Sequence, residues 1–217
     1  MATTLITPEV QQKLTQDSIQ QHIATIVDDL MAKLPAAEKL TYEQRRGIIA
    51  RYTAVLEGNF IYWMTATFIA AKAKEAHPIL LENLYEECRD SHPAMMRRFA
   101  IAANAVPTAE DAMAMNGTIN DMRMFLGRLD GVRSLVSMAF FEGWIQKFMA
   151  YLASLADAQG STEMEYTDVH GVCDITHSLE LFRAVSLEMK RSPVDARDNI
   201  FEGVDLLAAL VENIVEG

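Results

Sequence analysis

Cysteine is scarce: Cys88 and Cys173 are the only two in 217 residues. Two thiols make no disulfide framework, so a secreted, cross-linked scaffold is excluded and a reducing compartment is expected. Basic residues are short as well, with 19 Lys and Arg against 30 Asp and Glu and a formal charge of −11. A surface of that sign repels phosphate backbones and no local basic patch offsets it, so no nucleic-acid partner is expected. Long apolar runs are missing. The longest promising uncharged stretch, Gly58 to Ala71, is closed by Glu57 and Lys72, short of the roughly 20 residues that cross a bilayer. The opening MATTLITPEV has no basic stretch ahead of an apolar core, so neither a secretion signal nor a membrane partner is expected. The composition is half hydrophobic, enough to build a core. It fits a compact cytoplasmic protein of one domain spanning residues 1–217.

Strand signals are nearly absent too. Asn116-Gly117 and Asp130-Gly131 are hairpin dipeptides, but helix-like sequence flanks both. Six prolines and ten glycines leave long stretches rich in Ala, Leu, Met, Glu, Gln and Lys, which are good helix formers. An all-α bundle of seven to eight helices follows. Thr7-Pro8 caps and opens a helix running towards Lys33, and Pro35 ends that segment. Thr41 caps a long helix from about Tyr42 to Lys74. Pro78 starts a third, and Pro93 breaks it by turning His92 away from helical backbone. A short segment reaches Ala105, Pro107 opens a helix towards Met115, and Thr118 begins another that breaks near Asp130-Gly131. Helices over Val132 to Asp157 and Thr162 to Lys190 flank the turn Gln159-Gly160-Ser161. Ser192-Pro193 opens the last helix.

Several carboxylates fall where a core is expected. Apolar residues at i, i+3, i+4 and i+7 mark a buried helix face. On the long second helix that stripe reads Ala50, Ala54, Glu57, Phe60 or Ile61, Met64, Phe68. From Val132 onwards it reads Leu135, Met138, Glu142, Ile145, Met149, with Phe141 and Trp144 hemming the glutamate. A lone buried carboxylate is costly unless a cation or metal compensates it. For either glutamate alone, a salt bridge or a slightly rotated helix is explanation enough. His170, Asp174 and His177 then fall at i, i+4 and i+7. Seven residues at about 100° each return nearly to the starting angle, so all three share one face. That array is a transition-metal ligand set or a polar solvent stripe, but Glu163, Asp168, Glu180 and Arg183 already charge the other faces. Glu86, Glu87 and His92 form a fourth group around the Pro93 break, which on its own reads as an ordinary charged helix end. Together these segments can bring histidines and acids around two metal ions inside a bundle. Neither Glu57 nor Glu142 has a histidine three residues later, so the scaffold is not ferritin-like.

Here the chain resembles the haem-oxygenase-like di-iron oxidase family, which shares the fold of haem oxygenase and the TenA and PqqC proteins. The family pattern is an early core Glu, a segment like N-L-x-x-E…H-P, a later Glu, and a closing H-x-x-x-D-x-x-H. This sequence has Glu57, Asn83-Leu84-Tyr85-Glu86-Glu87 with His92-Pro93, Glu142, and His170, Asp174 and His177 in the closing spacing, over roughly residues 45 to 185. The resemblance implies one iron on His92, Glu142 and His170. It implies a second on Glu57, Asp174 and His177, with Glu87 bridging or shared. The stretch between Glu87 and His92 is shorter than in many relatives, so Glu86 stays open for the same role.

The resemblance further implies two Fe(II) per chain, O2 as co-substrate and oxidation of a small amino-acid-like molecule, aromatic amino acids among the candidates, by C–C cleavage, decarboxylation, nitrile formation or N-oxygenation. Histidine and carboxylate ligands also suit manganese or zinc, and zinc would serve hydrolysis instead. Phe60, Tyr62, Trp63, Phe140, Phe141 and Trp144 read first as core and second as a shield for a reactive oxidant. Lys147, Arg183 and Arg123 are equivalent candidates for holding a substrate carboxylate. Two other classes remain open. One is a metal-free enzyme on the same fold, for which Cys88 or Cys173 would be the nucleophile. The other is a non-catalytic helical protein, a homodimer built on Leu206, Leu207, Leu210 and Val211, a stripe that reads equally as that helix's own core face.

Overall fold

The computed structural model describes residues 14–194 and 198–217. Among them are eight α-helices and one short 3-10 turn, Ala37–Lys39, with no strand. The helices are α1 (Gln16–Ala32), α2 (Tyr42–Ala70), α3 (His77–Arg89), α4 (His92–Ala102), α5 (Ala109–Leu126), α6 (Gly131–Asp157), α7 (Glu165–Arg191) and α8 (Glu202–Glu216). The chain is all-α, as its composition requires. Thr7-Pro8 lies outside the described residues. α1 takes its cap from Thr15, whose side chain and that of Ser18 satisfy each other's backbone N–H groups.

Three boundaries depart from the sequence reading. No break occurs at Asn116-Gly117. Gly117 is exposed, while Met115, Ile119 and Met122 bury one continuous face of α5, and that burial exceeds the roughly 1 kcal/mol a helical glycine costs. Pro193 does not open the last helix, because the apolar spacing that anchors α8 starts only at Val204 and continues through Leu207, Leu210, Val211 and Ile214. α2 stops at Ala70 rather than near Lys74 because the N–H groups of Lys72 and Ala73 turn to the Glu188 carboxylate on α7, at 2.7 to 3.1 Å. That carboxylate is fully buried. Its approach requires Gly131, where a Cβ would meet Glu188 Oε1 at 2.5 Å and the Ala70 carbonyl at 2.9 Å.

α6 occupies the middle of the bundle, buried along nearly its whole length and packed on α1, α2, α7 and α8. α2 meets α3, α4, α5, α6 and α8, whereas α7 meets α1, α3, α4 and α6. Trp63, Phe140, Phe141, Trp144 and Phe148 are fully buried. The Trp144 and Phe148 rings stack with centroids 4.5 Å apart. Tyr62 departs from the expected aromatic wall and faces solvent at 53% exposure. The stripe of α8 is its core face: Leu207, Leu210 and Val211 are buried and Leu206 is half-buried. Arg46 grips both oxygens of Asp111 at 2.7 Å and so ties α2 to α5.

Candidate metal centre

The site is assembled where α3, α4, α6 and α7 converge beneath α2. On α3 the buried positions are Leu80, Asn83 and Glu87, spaced i, i+3, i+7, so Asn83 and Glu87 point inward together. The chain then leaves the helix at Ser91, which adopts left-handed backbone with φ 56° and ψ 44°. A serine there costs about 1–2 kcal/mol. The turn brings His92 back under the preceding helix, and its Nδ1 lies 2.8 Å from Glu87 Oε1. The break predicted near Pro93 does join these two ligand candidates, but it falls at Ser91: His92 is itself helical, the first residue of α4, with Pro93 in the first turn.

α6 contributes Glu142, 1% exposed, with Asn83 Nδ2 donating to its Oε1 at 2.8 Å. α7 contributes His170, Asp174 and His177, all buried on one face as their spacing requires. His170 Nδ1 is 2.8 Å from the Tyr166 carbonyl. A carbonyl only accepts, so Nδ1 carries the hydrogen and Nε2 keeps its lone pair, 3.9 Å from Glu87 Oε1. At His92 the neutral ring gives its Nδ1 hydrogen to Glu87 Oε1 in the same way and keeps its lone pair on Nε2. Both rings are set as metal-binding imidazoles usually are. They meet edge to face, with centroids 4.4 Å apart.

Ligand atoms of Glu87, His92 and His170 lie within 4.8 Å of one another, as do those of Cys173, Asp174 and His177. Between the helices is a cavity of about 20 Å³, lined by Glu87, His92, Glu142, His170, Asp174 and Tyr166 among others. Asp174 Oδ2 and His177 Nδ1 are buried and make no close hydrogen bond, Nδ1 standing 3.5 Å from Asp174 Oδ1 and 3.9 Å from Glu142 Oε1. Such orphaned groups are costly, and here they sit beside four other metal-ligand side chains. A divalent ion would satisfy both. The donor set, two imidazoles with a carboxylate on one side and one imidazole with carboxylate and thiol on the other, fits iron, manganese or zinc.

Electrostatics match that reading. Burial and the neighbouring Asp174 push the Glu142 carboxyl well above its ordinary range, with His177 and Asn83 offsetting only part of the shift. Burial lowers the His170 pKa, and the nearby carboxylates do not restore it. Burial also disfavours protonated His92, but its hydrogen bond to Glu87 outweighs this and the net shift is upward. At His177, Asp174, Glu142 and Glu86 overcome burial and carry the pKa up to about 10.

Glu57 is not gathered with the others. Its carboxylate is half-buried, ion-paired with Arg97, and stays off the cavity wall that Leu56, Phe60 and Ile61 of the same helix help to form. The buried side of α2 runs through Tyr52, Val55, Leu56, Asn59 and Trp63. It is rotated by about one position, or 100°, from the stripe through Ala54 and Glu57. Glu86 does reach the cluster: His177 Nε2 lies 2.8 Å from its Oε2. Adjacent glutamates thus serve different histidines, Glu87 facing His92 and Glu86 facing His177.

Sequence reasoning missed two features. Cys173 enters a ligand group through its neighbour Asp174, whose Oδ1 its thiol approaches at 3.1 Å. Tyr166 sits over His170, centroids 4.2 Å apart, and shares a buried 2.8 Å hydrogen bond with Tyr52. Its position four residues before His170 was the available signal. Burial and Asp174 raise the Cys173 thiol far above its ordinary pKa, and Cys88 is exposed and away from the cavity, so neither is placed as an activated nucleophile. Arg123 binds Asn59, Lys147 pairs with Asp28 and Arg183 with Glu180; none lines the ligand cavity.

Among the described residues no helix is long and apolar enough to cross a membrane. A comparison with curated proteins finds no match. The family model described as iron-containing redox enzyme matches residues 49–212, a span that holds every ligand candidate above. With three quarters of its length matched on a helical fold that buries this cluster, the chain belongs to that haem-oxygenase-like family of iron-containing redox enzymes.

Proposed function

We propose that the protein is an O2-dependent non-haem di-iron oxidase acting on a small amino-acid-like molecule. The observation that carries this reading is the pair of orphaned, buried atoms, Asp174 Oδ2 and His177 Nδ1, among carboxylates and imidazoles from four helices. One ion is assigned to Glu87, His92 and His170, and the second to Asp174 and His177. Glu142, whose Oε1 is 3.9 Å from His177 Nδ1, would add a further carboxylate to the set. Glu86 and Glu57 are the remaining carboxylates for the second position. Iron held by these residues would supply redox chemistry towards O2.

The chain's own residues do the rest. The Tyr166 carbonyl holds the proton of His170 at Nδ1 and aims Nε2 inward. Asn83 fixes the orientation of Glu142. Phe60, Met96 and Ile145 wall the cavity with apolar surface, which excludes water and strengthens every charge interaction inside it.

Anaerobic titration with Fe(II), followed by mixing with O2 and amino acids under stopped-flow absorbance, tests the proposal. Uptake of roughly two irons per chain and a transient absorbance that depends on O2 are expected. No iron uptake, or uptake with no reaction towards O2, would sink it.

Metal binding should also expel protons. His177, with its pKa raised from 6.5 to about 10, is a cation at pH 7. The stability that its charge lends the metal-free fold is complete below pH 6.5 and is lost as pH rises through about 10. A metal needs the lone pair that this proton occupies, so affinity should rise with pH over the same window. Calorimetric titration with Zn(II) at pH 7 in buffers of different ionisation enthalpy should show about one or two protons released per chain. Buffer-independent heats would contradict a protonated His177.

A further inference from the structure

The ligand cluster has a second boundary, facing outward. Between α3 and α7 lies a cleft of about 490 Å³, lined by Glu82, Asn83 and Glu86 on one side and Cys173, His177 and Glu180 on the other. That volume is in the range of small-molecule sites, roughly 300–1,000 Å³. His177 belongs to the metal-ligand array, and Asn83 holds Glu142 on the inner cavity wall. The cleft therefore ends on the proposed centre.

Its chemistry is one-sided. Three carboxylates line it and no lysine or arginine does. Glu86 already accepts from His177, and Glu180 shares its charge with the exposed Arg183. Glu82 is exposed, with no side-chain partner among the described residues. The independent pointer to a ligand is Asn83. It is 3% exposed, it lines the cleft, and while its Nδ2 is used on Glu142 its Oδ1 has no partner. A buried acceptor left open at the base of an acidic cleft calls for a hydrogen-bond donor carrying positive charge.

We propose that this cleft is the substrate entrance and that it selects a primary amine, whose ammonium group draws its acceptors from Glu82, Glu180 and Asn83 Oδ1. Pro78 and Ile79 give the carbon stem an apolar wall. A carboxylate presented first is repelled here, and the protein's charge of −11 concentrates cations at the entrance. The assignment of this amine as substrate rests on the oxidase reading above; the binding preference does not. A smaller cleft between α1, α6 and α7, about 210 Å³, reaches Asp174 past Lys147. It is where an acid would go instead, but Lys147 is engaged with Asp28.

Calorimetry with hexylamine and hexanoate, which share a chain length and differ in the sign of the head group, separates the alternatives. It is run on the full chain as purified and again after addition of Zn(II), a redox-inert ion that neutralises the ligand carboxylates. Hexylamine should bind at least about tenfold more tightly than hexanoate in both states. The double variant Glu82→Gln with Glu180→Gln should weaken hexylamine about tenfold. The control pair Glu110→Gln with Asp121→Asn, on the exposed side of α5, should not. Equal binding of both probes, preference for hexanoate, or the same loss in the control pair overturns the inference. Iron uptake together with preference for hexanoate would remove the amine cleft and leave the oxidase standing. Hexylamine selectivity in a chain that takes up no iron would do the reverse.

Discussion

Replacing His170 with alanine should abolish oxidation and reduce iron binding by at least about a hundredfold, since even the supporting partners of a ligand are worth roughly ten- to a hundredfold in metal affinity. His170 is the best-prepared ligand of the set. Its tautomer is fixed by a main-chain carbonyl that no side-chain substitution removes. Its pKa is lowered by burial, so no proton competes strongly for Nε2. It also faces both Glu87 and His92, so its loss opens the centre of the ligand triad. The fold should survive, because the imidazole contributes only one hydrogen bond, to a carbonyl of its own helix. Helical circular dichroism unchanged from the parent, with iron content reduced to background, is the expected pair of results. Full iron content and activity in His170→Ala would mean that the metal is held elsewhere.

How much of this was legible beforehand depended on how local the cause was. The inward face of His170, Asp174 and His177 follows from the 100° step of a helix and needs no knowledge of neighbours, and the structure buries all three. Glu142 was equally visible, because flanking aromatics fixed its side of α6. Glu87 and His92 could be joined only through the break near Pro93, and the left-handed Ser91 supplies the reversal. The position of Glu57 was harder. Two alanines preceded it in the stripe, and alanine packs on either side of a helix boundary, so the register stayed free by one position. Contacts between helices were not legible at all. The bond between Glu86 and His177 depends on how α3 lies on α7. Nor did anything in the local pattern mark Glu188 as buried, because its partners are backbone amides 116 and 115 residues earlier in the chain.

Glu188→Ala should be the most destabilising single substitution outside the apolar core, by about 3–5 kcal/mol. The carboxylate is fully buried and takes the N–H of Lys72 and of Ala73, so its removal orphans both donors and empties the space that Gly131 was kept small to provide. For a chain of this size the melting temperature should fall by about 10 °C, and the urea midpoint should fall with no change in slope. Glu188→Gln keeps an oxygen for Ala73 and should lose only about 1 kcal/mol. A shift under about 1 kcal/mol in Glu188→Ala would mean that water replaces the carboxylate without cost. The contrast with the metal centre is physical. Glu188 and Asp174 are both carboxylates buried to within 1% on the same helix. The fold satisfies Glu188 with its own backbone, so removing that side chain costs stability. It leaves Asp174 Oδ2 without a partner, so Asp174→Asn should cost the metal-free protein less than Glu188→Ala, chiefly the pairing of its charge with His177, and should cost the iron-loaded one its second ion. Two buried acids with opposite responses to removal would separate the part of α7 that holds the bundle together from the part that awaits a cation.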